Sequence, residues 1–430
     1  MLKKIKNIIS KTDHLLFKKF GSDKSVKFLE NIKEARIIFS HLNEIGKECK
    51  VRFVGGCVRK SLSGENIDDI DLATSLEPNE VKNKLTKKNI RVIDTGISHG
   101  TVTAILNKKN FEITTLRQDI SADGRHADVQ FTLDWKKDAL RRDFTINAIY
   151  TDIEGRIFDP LNGILDLKRG EIKFIGSPDE RIQEDYLRIL RYFRFFIHYS
   201  KAEHDLNTIK SIKKNINGLN AISNERIFAE LKKILFLKNL SSLFYNKHSK
   251  EIILNIFPQM LYYKRLNIIN NLDTRLRDKY DIELILALLI IDQSSNYEYF
   301  CHKYKTSNTI KNRFKNISKN YENIKNKKFY SEQNLKKLIY LSSKEDVIDL
   351  LLFSLCTNNK IEILSIEKLL YYVETCKRPK FPISGNDLKK HGYKSGPELG
   401  TKLKLLEEKW INNNFVLDKK LIENSLNKVN

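Results

Sequence analysis

The chain has 430 residues, with 77 Lys and Arg against 54 Asp and Glu and a formal net charge of +23. A hydrophobic share of 41% and an aromatic share of 10% exclude an intrinsically disordered chain. At about 100–200 residues per domain the length fits two to four domains, and the positive charge points to a polyanion: nucleic acid, an anionic membrane or nucleotide phosphate.

Lys, Asn and Ile are abundant throughout, as AT-rich coding produces, so the charge is discounted as evidence. The longest apolar runs, such as Ile285 to Ile291, are far short of the roughly 20 residues that a bilayer requires, so no membrane span is expected. Cys49, Cys57, Cys301, Cys356 and Cys376 form neither a disulfide framework nor a CxxC zinc pattern. Their odd number, without a signal peptide, leads us to expect a reducing cytoplasm. Met1 to Ser10 is basic and apolar like a transit peptide, but Asp13 and the continuing helical pattern favour a surface helix.

From about Lys50 to Pro160 glycines cluster and strand-like runs recur; beyond Gly176 the pattern is almost wholly helical. An α/β or α+β N-terminal part followed by an all-α part is therefore expected. In chain order, Val51–Val54 is a strand ending at Gly55-Gly56, Ile67–Leu72 a second, and a helix starts near Pro78, which suits a first helical turn. Arg91–Asp94 is a further strand. Thr101–Leu106 with Phe111–Leu116, and Ala148–Thr151 with Arg156–Asp159, read as hairpins. Long helices begin near Pro178, no repeat is visible, and Gly385 to Gly400 reads as a loop before a closing helix containing Trp410.

Three constellations carry chemistry. In Asp69-Ile70-Asp71, strand alternation turns both carboxylates to one face, where a divalent cation relieves their repulsion. Glu112, alternating in the same sense on a neighbouring strand, is a third candidate carboxylate; an Asx-rich turn is the alternative for an isolated DxD. Upstream, Gly55-Gly56 followed by Arg59 lets backbone N–H groups approach an anion and a guanidinium clamp it, although no P-loop pattern is present. Arg141-Arg142-Asp143 with Asn147 has the composition to hold ribose and triphosphate, or to be a capped surface element.

The third constellation is Glu184 to Phe195. Read as one helix, it places Asp185 and Arg188 three residues apart and adjacent, with Arg188, Arg191 and Arg194 in a slowly wrapping stripe. A fixed carboxylate acceptor beside a guanidinium donor complements the amine and ring nitrogen of cytosine and adenine alike, and mismatches uracil and guanine. An ordinary surface salt bridge is the alternative.

Together these residues resemble the class II tRNA nucleotidyltransferase (CCA-adding enzyme) and bacterial poly(A) polymerase family. The resemblance is carried by GGCVRK (55–60), DIDLAT (69–74), TLRQDISADGRHADVQF (115–131), RRDFTINAIY (141–150), DPLNGILDL (159–167), EDYLRILRYFRF (184–195) and ERIFAELKKIL (225–235), in family order. FPISGNDLKKHGYKSGPELG (381–400) also looks like the C-terminal part of one bacterial branch.

The resemblance implies an α+β fold with a small mixed sheet in the head and an all-α neck, body and tail in a seahorse shape. Residues 1–30 would be a helical extension, 31–170 the head, 171–245 the neck and 246–430 the body and tail. It implies that Asp69 and Asp71 hold two Mg²⁺ ions and that Gly55, Gly56 and Arg59 contact the nucleotide. Arg142, Asp143 and Asn147 would bind triphosphate and ribose. Glu184, Asp185 and Arg188 would form a protein template for the base, supported by Arg191 and Arg194. Glu225 and Arg226 would lie in the neck, and Asp119 to His126 would be the flexible loop associated with adding the terminal A.

The implied activity is addition of C, C and A to the tRNA 3′ end from CTP and ATP, with the acceptor and T arms as partners. Lys60 stands where the family usually has Asp, either a lost helix cap or a lost support for Arg59. The short connection before the RRD motif favours the CCA branch over poly(A) polymerase, and a complete loop ranks CC addition lower. Intact carboxylates argue against a catalytically inactive RNA-binding homologue. His204-Asp205 is read as a coincidental HD dipeptide, and His99 and His126 as either nucleotide contacts or satisfied loop residues.

Overall fold

A computed structural model describes residues 32–43, 49–122, 127–358 and 360–416. The N-terminal helix expected over residues 1–30 and the His126 end of the Asp119–His126 loop lie outside them. The chain divides into two compact units, Met1–Ile252 and Ile253–Asn430.

The first unit carries the sheet. Its opening elements are α1 (Lys33–Leu42), β1 (Val51–Val54), α2 (Gly56–Leu62), β2 (Ile70–Thr74), α3 (Pro78–Thr86), β3 (Arg91–Gly96), β4 (Thr101–Leu106) and β5 (Lys109–Thr115). A separate two-stranded ribbon follows, β6 (Arg117–Ala122) with β7 (Ala127–Phe131). Then come α4 (Trp135–Leu140) and the short strands β8 (Tyr150–Thr151) and β9 (Ile157–Phe158). The seven-stranded sheet has the order β3-β4-β5-β2-β1-β8-β9. Its one parallel pair is β2 with β5; all the others are antiparallel.

Period-two alternation explains how the sheet buries one face. Leu72, Val102, Ala104, Phe111 and Ile113 turn inward onto α1 and α3, whose Phe39, Val81 and Leu85 complete the core. Asp71, Glu112, Thr101 and Thr103 alternate with them and turn outward. The expected strands appear with shifted bounds: β2 starts at Ile70, so Asp69 stands just before it.

The helices that frame the site are α5 (Gly163–Arg169), α6 (Pro178–Glu184), α7 (Arg188–Tyr199), α8 (Leu206–Asn215) and α9 (Asn224–Leu235). The single helix read over Glu184 to Phe195 is broken. α6 ends at Glu184, and Asp185 is extended, with φ −154° and ψ 103°. The Asp185 carboxylate accepts from the Leu187 N–H at 3.2 Å, a local turn that competes with helix continuation. The Tyr186 ring lies against Gly218, where a Cβ would fall 2.0 Å from it.

The regular elements among the described residues of the second unit are all helices. The Ile282–Ile290 helix is apolar on nearly all sides and has Leu284 and Leu286 to Ile290 at no more than 1% exposure, as a central core helix requires. Arg313 ties its start to the Lys344–Thr357 helix through Asp281 (2.7 Å), Glu283 (3.1 Å) and Asp349 (2.6 Å). The loop expected over Gly385 to Gly400 instead contains a Gly385–Lys390 helix. Asp387 accepts from the Ser384 N–H at 2.9 Å and so caps it, and Leu388 packs with Tyr393 and Leu406. Trp410 lies in the Pro397–Asn412 helix as expected. Arg265 stacks 4.1 Å over Tyr262 and donates to the Leu288 and Ile291 carbonyls, so this basic aromatic stretch braces a helix end. No helix of the described residues is long and apolar enough to cross a membrane.

Candidate active site

The turn from β1 into α2 starts the site. Gly55 has φ +69° and ψ −120°, a backbone that a side chain would strain. A Cβ there would lie 3.6 Å from Arg142 Nη1, and one on Gly56 would lie 3.9 Å from Asp71 Oδ2. The glycine pair therefore lies within van der Waals reach of a guanidinium at Gly55 and of a carboxylate at Gly56.

The parallel β2–β5 pairing sets Asp71 directly beside Glu112. Burial and then the Glu112 charge raise the Asp71 carboxyl to about 6, against the opposing pull of Arg142. Asp71 and Glu112 thus share one face of the sheet. Asp69 is exposed at the strand entrance, and among the described residues no three carboxylate, His or Cys side chains are grouped so that they could hold a metal ion. An open carboxylate edge suits Mg²⁺, which keeps several waters and shares its coordination with substrate phosphates.

Arg142 is held from behind. Asp138 takes its Nε at 3.2 Å and Nη2 at 3.1 Å, and Tyr150 Oη takes Nε at 3.1 Å while donating to Asp138 at 2.7 Å. Burial would raise the Asp138 carboxyl, but Arg142, Arg141 and Tyr150 more than offset this and hold it at about 2. Asp138 escaped the sequence reading; its spacing of four from Arg142, across the end of α4, was the available signal.

A second network runs from the glycine turn to α7. Arg59, 6% exposed, donates to Asn147 Oδ1 and lies 4.6 Å from the Phe195 ring centre and 5.1 Å from that of Tyr199. Asn147 Nδ2 donates to Asp143 Oδ1 at 2.8 Å, and Arg191 donates to Asp143 Oδ2 at 2.8 and 2.5 Å. Asp143 is therefore committed to internal partners rather than facing a ribose. Lys60 turns away to Asp68 at 2.8 Å, so Arg59 is oriented by Asn147 and two rings without help from position 60.

The Asp185–Arg188 pair differs most from expectation. Asp185 and Arg188 are not salt-bridged to one another. Asp185 Oδ2 takes Arg226 Nη2 at 3.0 Å, whereas Arg188 Nη1 donates to Glu184 Oε2 at 2.6 Å and the Arg181 carbonyl at 2.8 Å. The break after Glu184 is the physical reason, because it separates the two residues onto a turn and a new helix. Buried Arg181, also missed from sequence, pairs with Glu184 and reaches the Arg141 and Arg142 carbonyls. The stripe's last member, Arg194, pairs with Glu230 on α9 and stacks 4.2 Å from Phe195, which makes it a structural tie.

His204 is buried between Tyr192 Oη (2.9 Å) and Ser249 Oγ (2.6 Å), and Asp205 caps α8 by accepting from Thr208 N at 2.7 Å, so the HD dipeptide is structural. His99 lies at a cleft beside Glu112.

Comparison with known proteins follows the same organisation. Residues 51–173 match the family described as Poly A polymerase head domain, and 205–263 the probable RNA and SrmB-binding site of polymerase A. Residues 279–426 match the putative tRNA nucleotidyltransferase domain 2. The chain is 35% identical to the mitochondrial CCA tRNA nucleotidyltransferase 1 of Homo sapiens over 412 residues, covering 91% of this chain and 88% of that one. It is 32% identical to the CCA-adding enzyme of Staphylococcus haemolyticus, covering 88% and 93%. The Bacillus stearothermophilus CCA-adding enzyme, solved in complex with CTP, has the same fold at a TM-score of 0.69 and 24% identity, covering 89% and 93%. Similarity of this extent to curated relatives, spread over nearly the whole chain, means that the chain belongs to the CCA-adding tRNA nucleotidyltransferase family.

Proposed function

We propose that this protein adds C, C and A in turn to the 3′ end of tRNA, from CTP and ATP, with release of pyrophosphate. The observation that carries this reading is the grouping of the Gly55–Gly56 turn with Asp71 and Arg142, tied by the chain Arg59, Asn147, Asp143 and Arg191 to α7. In it the glycine backbone and Arg142 bind the triphosphate, and Asp138 and Tyr150 keep the Arg142 fork oriented. The open carboxylate edge fits Mg²⁺, with Asp69 and Asp71 as its ligands and Glu112 beside them. Two such ions, when bound, supply charge stabilisation for the attacking 3′-oxygen and the departing pyrophosphate.

Base choice falls to Asp185 and Arg188. Each is held by a separate partner, Arg226 and Glu184, so acceptor and donor are both fixed without neutralising one another. Cytosine and adenine present a donor to Asp185 and an acceptor to Arg188, while uracil and guanine set acceptor against acceptor and donor against donor. We assign 31–170 to the head, 171–245 to the neck and 246–430 to a body and tail that follow the tRNA acceptor and T arms by backbone charge and shape. The five free thiols support a reducing compartment, for which we keep the cytoplasm.

The test is incubation with Mg²⁺, a tRNA lacking its CCA end, and each labelled NTP alone and together, read at single-nucleotide resolution. Three additions that need both CTP and ATP and then stop are expected, and none from Asp71→Ala. A long ladder from ATP alone would replace this reading by poly(A) polymerase. Arrest after two C would make it a CC-adding enzyme, and no addition with tRNA binding retained an inactive homologue.

A further inference from the structure

On the outward face of the sheet, Asp71, Glu112 and Thr103 stand in one cross-strand row, through the registers Asp71–Glu112 and Glu112–Thr103. The glycine turn lies on the β1 side of Asp71. On the opposite side, past Glu112, is a cleft of about 440 Å³ lined by Thr95, His99, Thr101, Thr103, Glu112 and Arg117. That volume is within the about 300–1,000 Å³ of small-ligand sites.

The lining is hydroxyl and charge. Thr95 Oγ1 and Thr103 Oγ1 are 2.9 Å apart, and Thr101 Oγ1 and Thr114 Oγ1 are 3.0 Å apart. Arg117 is anchored by its Nη1 to the His99 carbonyl. Among the described residues no Phe, Tyr or Trp lines the cleft, so they offer no platform on which a base would stack. Hydroxyls, a carboxylate and a guanidinium instead suit a sugar and its phosphate.

Direction narrows the occupant. In phosphoryl transfer the attacking and leaving oxygens lie roughly in line on opposite sides of the reacting phosphorus. With the triphosphate over the glycine turn, the attacking hydroxyl must arrive from the Glu112 side. We infer that this cleft seats the terminal ribose and phosphate of the tRNA being extended, with the Thr95–Thr103 hydroxyl pair reading the 2′-hydroxyl and Arg117 meeting the phosphate. The inference rests on the nucleotidyl-transfer reading above. It also explains how one site accepts any terminal base, because the sugar and phosphate are common to all.

The test compares Thr103→Val with Thr103→Ser on an acceptor minihelix lacking CCA, ending in either a ribose or a 2′-deoxyribose. For Thr103→Val the KM for the minihelix should rise about three- to tenfold, the worth of one neutral hydrogen bond, with the KM for CTP unchanged. Thr103→Ser should restore it. Wild type should lose a similar factor on the 2′-deoxy end, and Thr103→Val should lose nothing further on it, since the same contact is already gone. A rise in the CTP KM alone, or losses that multiply, would overturn the inference. An inactive wild type would instead overturn the functional reading.

Discussion

Replacing Asp143 by Asn removes one charge from the middle of the network that ties the glycine turn to α7. The Asp143 side chain is 9% exposed and that of Arg191 32%. Burial alone would raise the Asp143 carboxyl, but Arg191, Asn147 and Arg188 hold it far below the usual range, so the native pair is charged. Breaking a buried pair by removing one partner costs about 3–5 kcal/mol, because the other charge stays desolvated. Water reaches a third of Arg191, so we take about 2–3 kcal/mol. For a unit of this size 1 kcal/mol shifts Tm by about 2–4 °C, giving a fall of about 4–12 °C by calorimetry. The double variant Asp143→Asn/Arg191→Met removes both charges and should recover at least half of it. The reasoning is refuted if Asp143→Asn is neutral, or if the double variant loses the sum of the two single losses.

Three further outcomes follow from the site and its supports. Glu184→Gln frees Arg188 while leaving its charge, and should raise the KM for both CTP and ATP and increase UTP misincorporation; unchanged nucleotide discrimination would remove Glu184 from the base-selecting apparatus. Gly218→Ala drives a Cβ into the Tyr186 ring, a clash of about 1–3 kcal/mol that also displaces the Asp185 turn, so thermal stability and nucleotide KM should worsen together. Burial lowers the His204 imidazole from its ordinary 6.5 to about 4. The unfolded chain then binds the extra proton first, so stability is lost as pH falls from about 6.5 to 4. His204→Gln should flatten that part of a Tm-against-pH profile, and an unaltered profile would show that His204 does not contribute to it.

Local chemistry made much of this protein legible from its sequence. Alternation in Val51–Val54 and Phe111–Leu116, the Gly55-Gly56 turn, the Asp69/Asp71 spacing and the glycine-poor helical half all follow from backbone geometry within a few residues. The head strands and the change to helix accordingly appear where expected, whereas Asp69 stands just before its strand. The family, too, was readable, because its motifs are short and contiguous.

Tertiary structure decided the pairings. The pattern of Glu184 to Phe195 is helical throughout, and only the Asp185 turn and the packing of Tyr186 on Gly218 break it. The partners of Arg188, Asp185, Arg191 and Arg194 are Glu184, Arg226, Asp143 and Glu230, the last three more than 35 residues away along the chain. Arginine spacing could not choose among them. A guanidinium reaches several carboxylates at similar energy, and the one it takes is set by which elements the surrounding core brings alongside. The residues that bear charge were thus written in the sequence, whereas their partners were fixed by packing between helices and sheet.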